Sequence, residues 1–146
     1  MKNRMNKLHP FIILLALLMT SAGCKKENLA DIEQSLVGSW EIREMTGAGV
    51  FGVPLYYAAG NGTMFQFTEK NYAFIREKNI VSSGSYTVGV KGSERDRLYM
   101  INFDVSNTPR FFKIEDNKLT MYSGSEVPDE TTTIYERVKD PILETR

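Results

Sequence analysis

The chain has 146 residues, enough for one domain with its own core, and its 18 Lys+Arg balance its 18 Asp+Glu. With 42% hydrophobic and 25% charged residues it is neither a disordered chain nor one with the basic footprint of a nucleic-acid binder. One cysteine, Cys24, excludes a disulfide framework within the chain.

Lys2, Arg4 and Lys7 open the chain, residues 11–19 form an unbroken apolar run, and Ser21, Ala22 and Gly23 precede Cys24. Basic, apolar and small-residue regions in that order read as a secretory signal over residues 1–23. The apolar run is about half of the roughly 20 residues a helix needs to cross a bilayer. Cleavage before Cys24 leaves 123 residues, with 15 Lys+Arg against 18 Asp+Glu, a balance of −3. It also removes His9, the only histidine. Ser-Ala-Gly-Cys resembles the lipobox of bacterial lipoproteins, with Ser21 standing where Leu is commoner. In that family the cysteine thiol is diacylated, the signal is cut before it, and the new amine is acylated. The resemblance implies a lipid anchor on Cys24, a membrane as partner, and a place in the bacterial cell envelope, at the outer membrane or cell surface rather than the inner membrane. Two or more acyl chains hold firmly where one holds marginally. The other reading of Cys24 is an incidental thiol after an ordinary signal.

Residues 24–35 read as a polar tether and a short helix. Leu29, Ile32, Leu36 and Val37 recur at helical spacing, with Asp31 near the start and Gly38 just after, which predicts a helix over residues 30–37. From Trp40 onward the period is two. Trp40 and Ile42, Phe65 and Phe67, Tyr72 and Phe74, and Tyr86, Val88 and Val90 mark four strands. Tyr99, Ile101, Phe103 and Val105 mark a fifth, followed by Phe112 and Ile114, Leu119 and Met121, and Ile134 and Val138. Lys70-Asn71, Ser82-Ser83-Gly84, Gly92-Ser93, Asn107-Thr108-Pro109, Asp116-Asn117 and Ser123-Gly124-Ser125 supply turn residues between them. Eight strands without a helical crossover call for an antiparallel meander. In such a chain the two longest connections, residues 47–62 and 123–130, fall at the same end, which predicts a barrel closed at one end and dressed in long loops at the other.

Leu36-Val37-Gly38-Ser39-Trp40 at the start of the first strand resembles the Gly-x-Trp signature of lipocalins and of the lipocalin-like domains of bacterial lipoproteins. The resemblance implies an all-β fold, an eight-stranded antiparallel up-and-down barrel over residues 36–139 preceded by the short helix, with a tail at 140–146. It also implies that Trp40 sits at the closed end with an arginine of the last strand, here Arg137, stacked over it. Tyr135 and Arg137 share a face opposite Ile134 and Val138, so which of the two faces points inward is open.

With no histidine left after cleavage and the cysteine acylated, histidine triads, thiol catalysis and ordinary zinc sites are excluded. Glu115-Asp116 and Asp129-Glu130 are adjacent carboxylates, but they fall in turns and read as solvated. Nothing matches a phosphate loop or a dinucleotide fingerprint. The expectation is a non-enzymatic protein without cofactor, metal or nucleic-acid partner. Residues 47–62 are apolar for a loop, carrying Val50, Phe51, Val53, Leu55, Tyr56 and Tyr57, and an exposed apolar patch marks a binding site. Glu44 shares a face with Trp40 and Ile42, and Arg76 with Tyr72 and Phe74, so both are expected inside near the open end, framing a ligand's polar end or pairing with each other. The predicted ligand site is Glu44, Phe51, Leu55, Tyr56, Tyr57, Arg76 and Phe103, taking a small, partly apolar molecule. Two alternatives stay open: the loop plugs the barrel, or the barrel is solid and the loop docks an envelope protein.

Overall fold

The first element follows from a cap. Asn28 is extended, and its side-chain oxygen accepts the Asp31 N–H at 2.9 Å, which starts helix α1 over Leu29–Leu36. Ile32 and Leu36 lie one turn apart and are both buried. Val37 returns to extended backbone and the helix ends, one residue earlier at each end than the spacing predicts. The computed structural model describes residues 28–47, 55–92, 97–123 and 131–139. The expected signal over residues 1–23, Cys24, Phe51 and the expected tail at 140–146 lie outside the described residues. Among the described residues no helix is long and apolar enough to cross a membrane.

Eight strands follow: β1 Gly38–Thr46, β2 Met64–Phe67, β3 Asn71–Arg76, β4 Asn79–Lys91, β5 Leu98–Phe103, β6 Arg110–Glu115, β7 Lys118–Tyr122 and β8 Thr132–Val138. Each pairs antiparallel with the next, and β8 pairs with β1, so the barrel is closed in chain order. The expected all-β architecture, an eight-stranded antiparallel barrel behind a short helix, is therefore the observed one. Closure leaves no free sheet edge, and it places the β1–β2 and β7–β8 connections, the two longest, at the same end.

The opposite end is plugged. Ile32 and Leu36 of α1 join the core beneath Trp40, Phe67 and Tyr86. The Tyr86 hydroxyl donates to the Thr68 carbonyl at 2.7 Å, and burial, with Glu33 and Glu69 nearby, pushes its pKa up. The middle of the barrel is filled with rings: Phe65 lies 5.4 Å from Phe67 and 5.8 Å from Phe103, and Tyr72 lies 4.4 Å from Phe103.

Three details differ from the sequence pattern or complete it. The β3–β4 turn is at Glu77-Lys78, both with positive φ (51° and 66°), and Ser82-Ser83-Gly84 lies inside the 13-residue strand β4. The turn was expected at the serines and glycine because Glu-Lys carries none of the residues that favour left-handed backbone. Bulges interrupt β1 between Ile42 and Glu44 and the β3–β4 pair between Phe74 and Ile75. On β8 it is the Tyr135 face that points inward, with Tyr135 and Thr133 buried and Ile134 half-buried on the other side.

Candidate functional site

Alternation carries Phe65, Tyr72, Phe74, Phe103, Met121 and Tyr135 to the inside of five different strands. Toward the open end these rings stop short of one another, and a chamber of about 400 Å³ opens between them. That is the lower part of the range of small-molecule sites. Met45, Thr133 and Ser82 complete its walls, while Val105, Ser106, Tyr122, Ser123 and Thr131 form its rim. The barrel is thus packed at the helix end and hollow at the loop end.

The polar groups inside are few and mostly engaged. The Tyr72 hydroxyl and Ser82 Oγ are 3.1 Å apart. Burial pushes the Tyr135 phenol up to about 12, against the pull of Arg110, so the hydroxyl is neutral throughout the physiological range. No buried side-chain polar atom among the described residues lacks a partner. Among the described residues Arg110 is the one charged side chain that lines the chamber; its guanidinium carbon lies 5.9 Å from the Phe103 ring.

The predicted site residues divide. Phe103 lines the chamber, and Tyr57 packs against the core beside it. Glu44 does not line it. The bulge at Arg43 shifts the alternation by one, so Glu44 sits opposite Ile134 and bridges Tyr56 on the outer side, while Met45, opposite Thr133, takes the inner place. Arg76 keeps the inward parity but stands beside the Glu77-Lys78 turn, exposed, with its guanidinium carbon 5.7 Å from the Phe74 ring. Among the described residues it makes no ion pair with Glu44. Leu55 and Tyr56 are 47% and 74% exposed and do not line the chamber. Phe51 lies outside the described residues. Met45, Ser82, Arg110, Met121, Thr133 and Tyr135 were missed. For Arg110 the signal was present: it precedes Phe112 and Ile114 at period two.

The described part of the 47–62 loop lies along β1. Met45 N–H donates to the Leu55 carbonyl at 3.0 Å, and Tyr57 N–H to the Arg43 carbonyl at 2.8 Å. Residues 58–62 then fold over the outer face of β1 onto Glu41, which is 3% exposed. The Glu41 carboxylate accepts the N–H groups of Gly60 and Gly62, both at 2.9 Å, and pairs with Arg43 at 2.6 Å. Burial alone would raise its pKa, but these donors outweigh it and hold the carboxyl below its usual range. In the described half of the loop, residues 55–57 thus extend the wall beside β1 with Tyr57 packed on the core, residues 58–62 strap its outer face, and neither part fills the chamber.

At the closed end the Trp40 indole N–H donates to the Leu36 carbonyl at 2.7 Å, and the Arg137 guanidinium carbon lies 4.2 Å from the Trp40 ring. Arg137 also donates to the carbonyls of Val37 at 2.7 Å and Ser35 at 2.5 Å, so one side chain ties β8, β1 and α1 together. A surface groove of about 830 Å³ runs past this knot along Gly38, Phe67 and Val138. It is larger than the chamber, but of the charged side chains that line it, Glu69, Arg137 and Lys139, the arginine is already committed to the fold.

Among the described residues no group of three or more His, Cys, Asp or Glu side chains could hold a metal ion. Comparison with known proteins gives no match to a family model, a curated protein or a solved structure.

Proposed function

We propose that this protein is a lipocalin-like binding module of the bacterial cell envelope, held to a membrane by lipid on Cys24, that takes a small, largely apolar ligand without catalysing a reaction on it. The observation that carries the reading is the chamber: a ring-lined hollow of about 400 Å³ at the loop end of the barrel. An apolar ligand gains there by leaving water, at about 25 cal/mol per Å² of apolar surface buried. The Trp40–Arg137 knot and the helix plug give the geometry that the Gly-x-Trp resemblance implies. The anchor rests on the Ser-Ala-Gly-Cys sequence alone.

The test fills the chamber. Ser82 points into it from β4, and Ser82→Phe puts a ring in the ligand's place. The expected result is loss of binding of a neutral fluorescent probe such as N-phenylnaphthylamine, with the circular dichroism spectrum kept. Undiminished probe binding by the folded variant overturns the chamber as the site.

The exposure of Leu55 and Tyr56 favours a second reading, in which the outer strap docks an envelope protein. Replacing both with Ser removes that contact and leaves probe binding intact.

A further inference from the structure

We infer that the chamber selects anionic ligands, with Arg110 holding a carboxylate, sulfonate or phosphate head at the mouth while the apolar body lies among the rings; this rests on the chamber being the binding site. The argument starts from direction. Phe112 and Ile114 of β6 belong to the interior, and Arg110 shares their face, paired across the sheet with the fully buried Ile101. Its stem therefore rises along the inner wall, and its guanidinium stands over the Phe103 ring at the mouth. Arginine suits this position because its planar fork remains charged at any physiological pH and binds an oxyanion through two parallel hydrogen bonds.

The second part of the argument is that no described carboxylate neutralises it. Of the described acids near this end, Glu44 is turned outward by the bulge in β1. Asp104 accepts the Ser85 N–H at 2.8 Å and the Ser85 hydroxyl at 3.0 Å. Glu77 sits in the exposed β3–β4 turn. None forms an ion pair with Arg110. The remaining groups of the chamber are rings, thioethers, aliphatic carbons and hydroxyls; ring faces attract cations, but at the mouth Arg110 itself already stands over the Phe103 ring. A cationic ligand would meet the Arg110 charge with no described carboxylate to offset it. A neutral ligand would leave the guanidinium facing water. An anion alone gains from the whole site, and because the guanidinium is exposed, it keeps its water until the ligand arrives.

The experiment compares two probes that share a ring system, anilinonaphthalene sulfonate and N-phenylnaphthylamine, which lacks the sulfonate. Both are titrated into the full chain carrying Cys24→Ser, so that no detergent competes. The expected result is tighter binding of the sulfonate, weakened about tenfold by Arg110→Gln and largely kept by Arg110→Lys, with N-phenylnaphthylamine changed less than about twofold by either. Equal affinity for the two probes in the unsubstituted protein overturns the inference and leaves the chamber reading standing. An equal loss for both probes in Arg110→Gln also overturns it, since Arg110 would then only shape the mouth. Failure of both probes to bind the unsubstituted protein overturns the chamber reading and this inference with it.

Discussion

Gly38 shows why a short motif has the residues it has. Its φ is 132°, where side chains are strained, and a Cβ there would stand 2.5 Å from an Arg137 guanidinium nitrogen. The glycine of Gly-x-Trp makes room for the arginine, and the arginine covers the tryptophan. Gly38→Ala is expected to cost about 1–3 kcal/mol of stability, read as a lower denaturant midpoint, because strain and displacement of Arg137 act together. An unchanged midpoint would show that the knot relaxes at no cost. At this scale the sequence was partly legible. Trp40 and Arg137 could be paired through the resemblance and strand direction. The inward face of β8 could not be read, since both faces carry large apolar side chains; in the fold Tyr135 is buried and Arg137, on the same face, is tied to the Val37 and Ser35 carbonyls.

At the scale of elements, alternation located all eight strands, and what it missed traces to local breaks in the period. One extra residue in β1 moved Glu44 from wall to surface and brought Met45 in. Glu77-Lys78 adopts a left-handed turn without asparagine or glycine, so no composition signal marked it. The strap on β1 depended on a buried acid that the pattern read as an outward polar residue: Glu41 does face outward, but residues 58–62 cover it. Its carboxyl is held below its usual value, so its contribution is present above the unfolded pKa of about 4.3 and is lost as pH falls through the folded value. Glu41→Gln is expected to lower stability at neutral pH and to shrink the further loss on acidification to pH ~3, compared by urea unfolding at the two pH values. The same drop in both proteins would place the acid sensitivity elsewhere.

Over the whole molecule, closure joins the first strand to the last. Trp40 pairs with Arg137 across 97 positions of sequence, and the β1–β8 seam forms only when the final strand is present. A chain ending at Ser123 lacks β8, so β1 and β7 both become free edges, ready to pair with other molecules. It is expected to aggregate, with the emission of Trp40, the only tryptophan, shifted to the red. A soluble truncation with unshifted emission would show that the barrel closes without its last strand. Loop lengths and an up-and-down order were enough to foresee which end is dressed in long loops. The hollow was not foreseeable, because alternation says which residues point inward and not how far their rings reach across.

The helix plug has a consequence for how the molecule can be held. Asn28 caps the helix that stops one pole of the barrel, and the β8 strand leaves at that same pole. Attachment close to Asn28 or Lys139, whether to a bead or a biosensor chip, therefore turns the aperture away from the support and leaves solutes a clear approach to it.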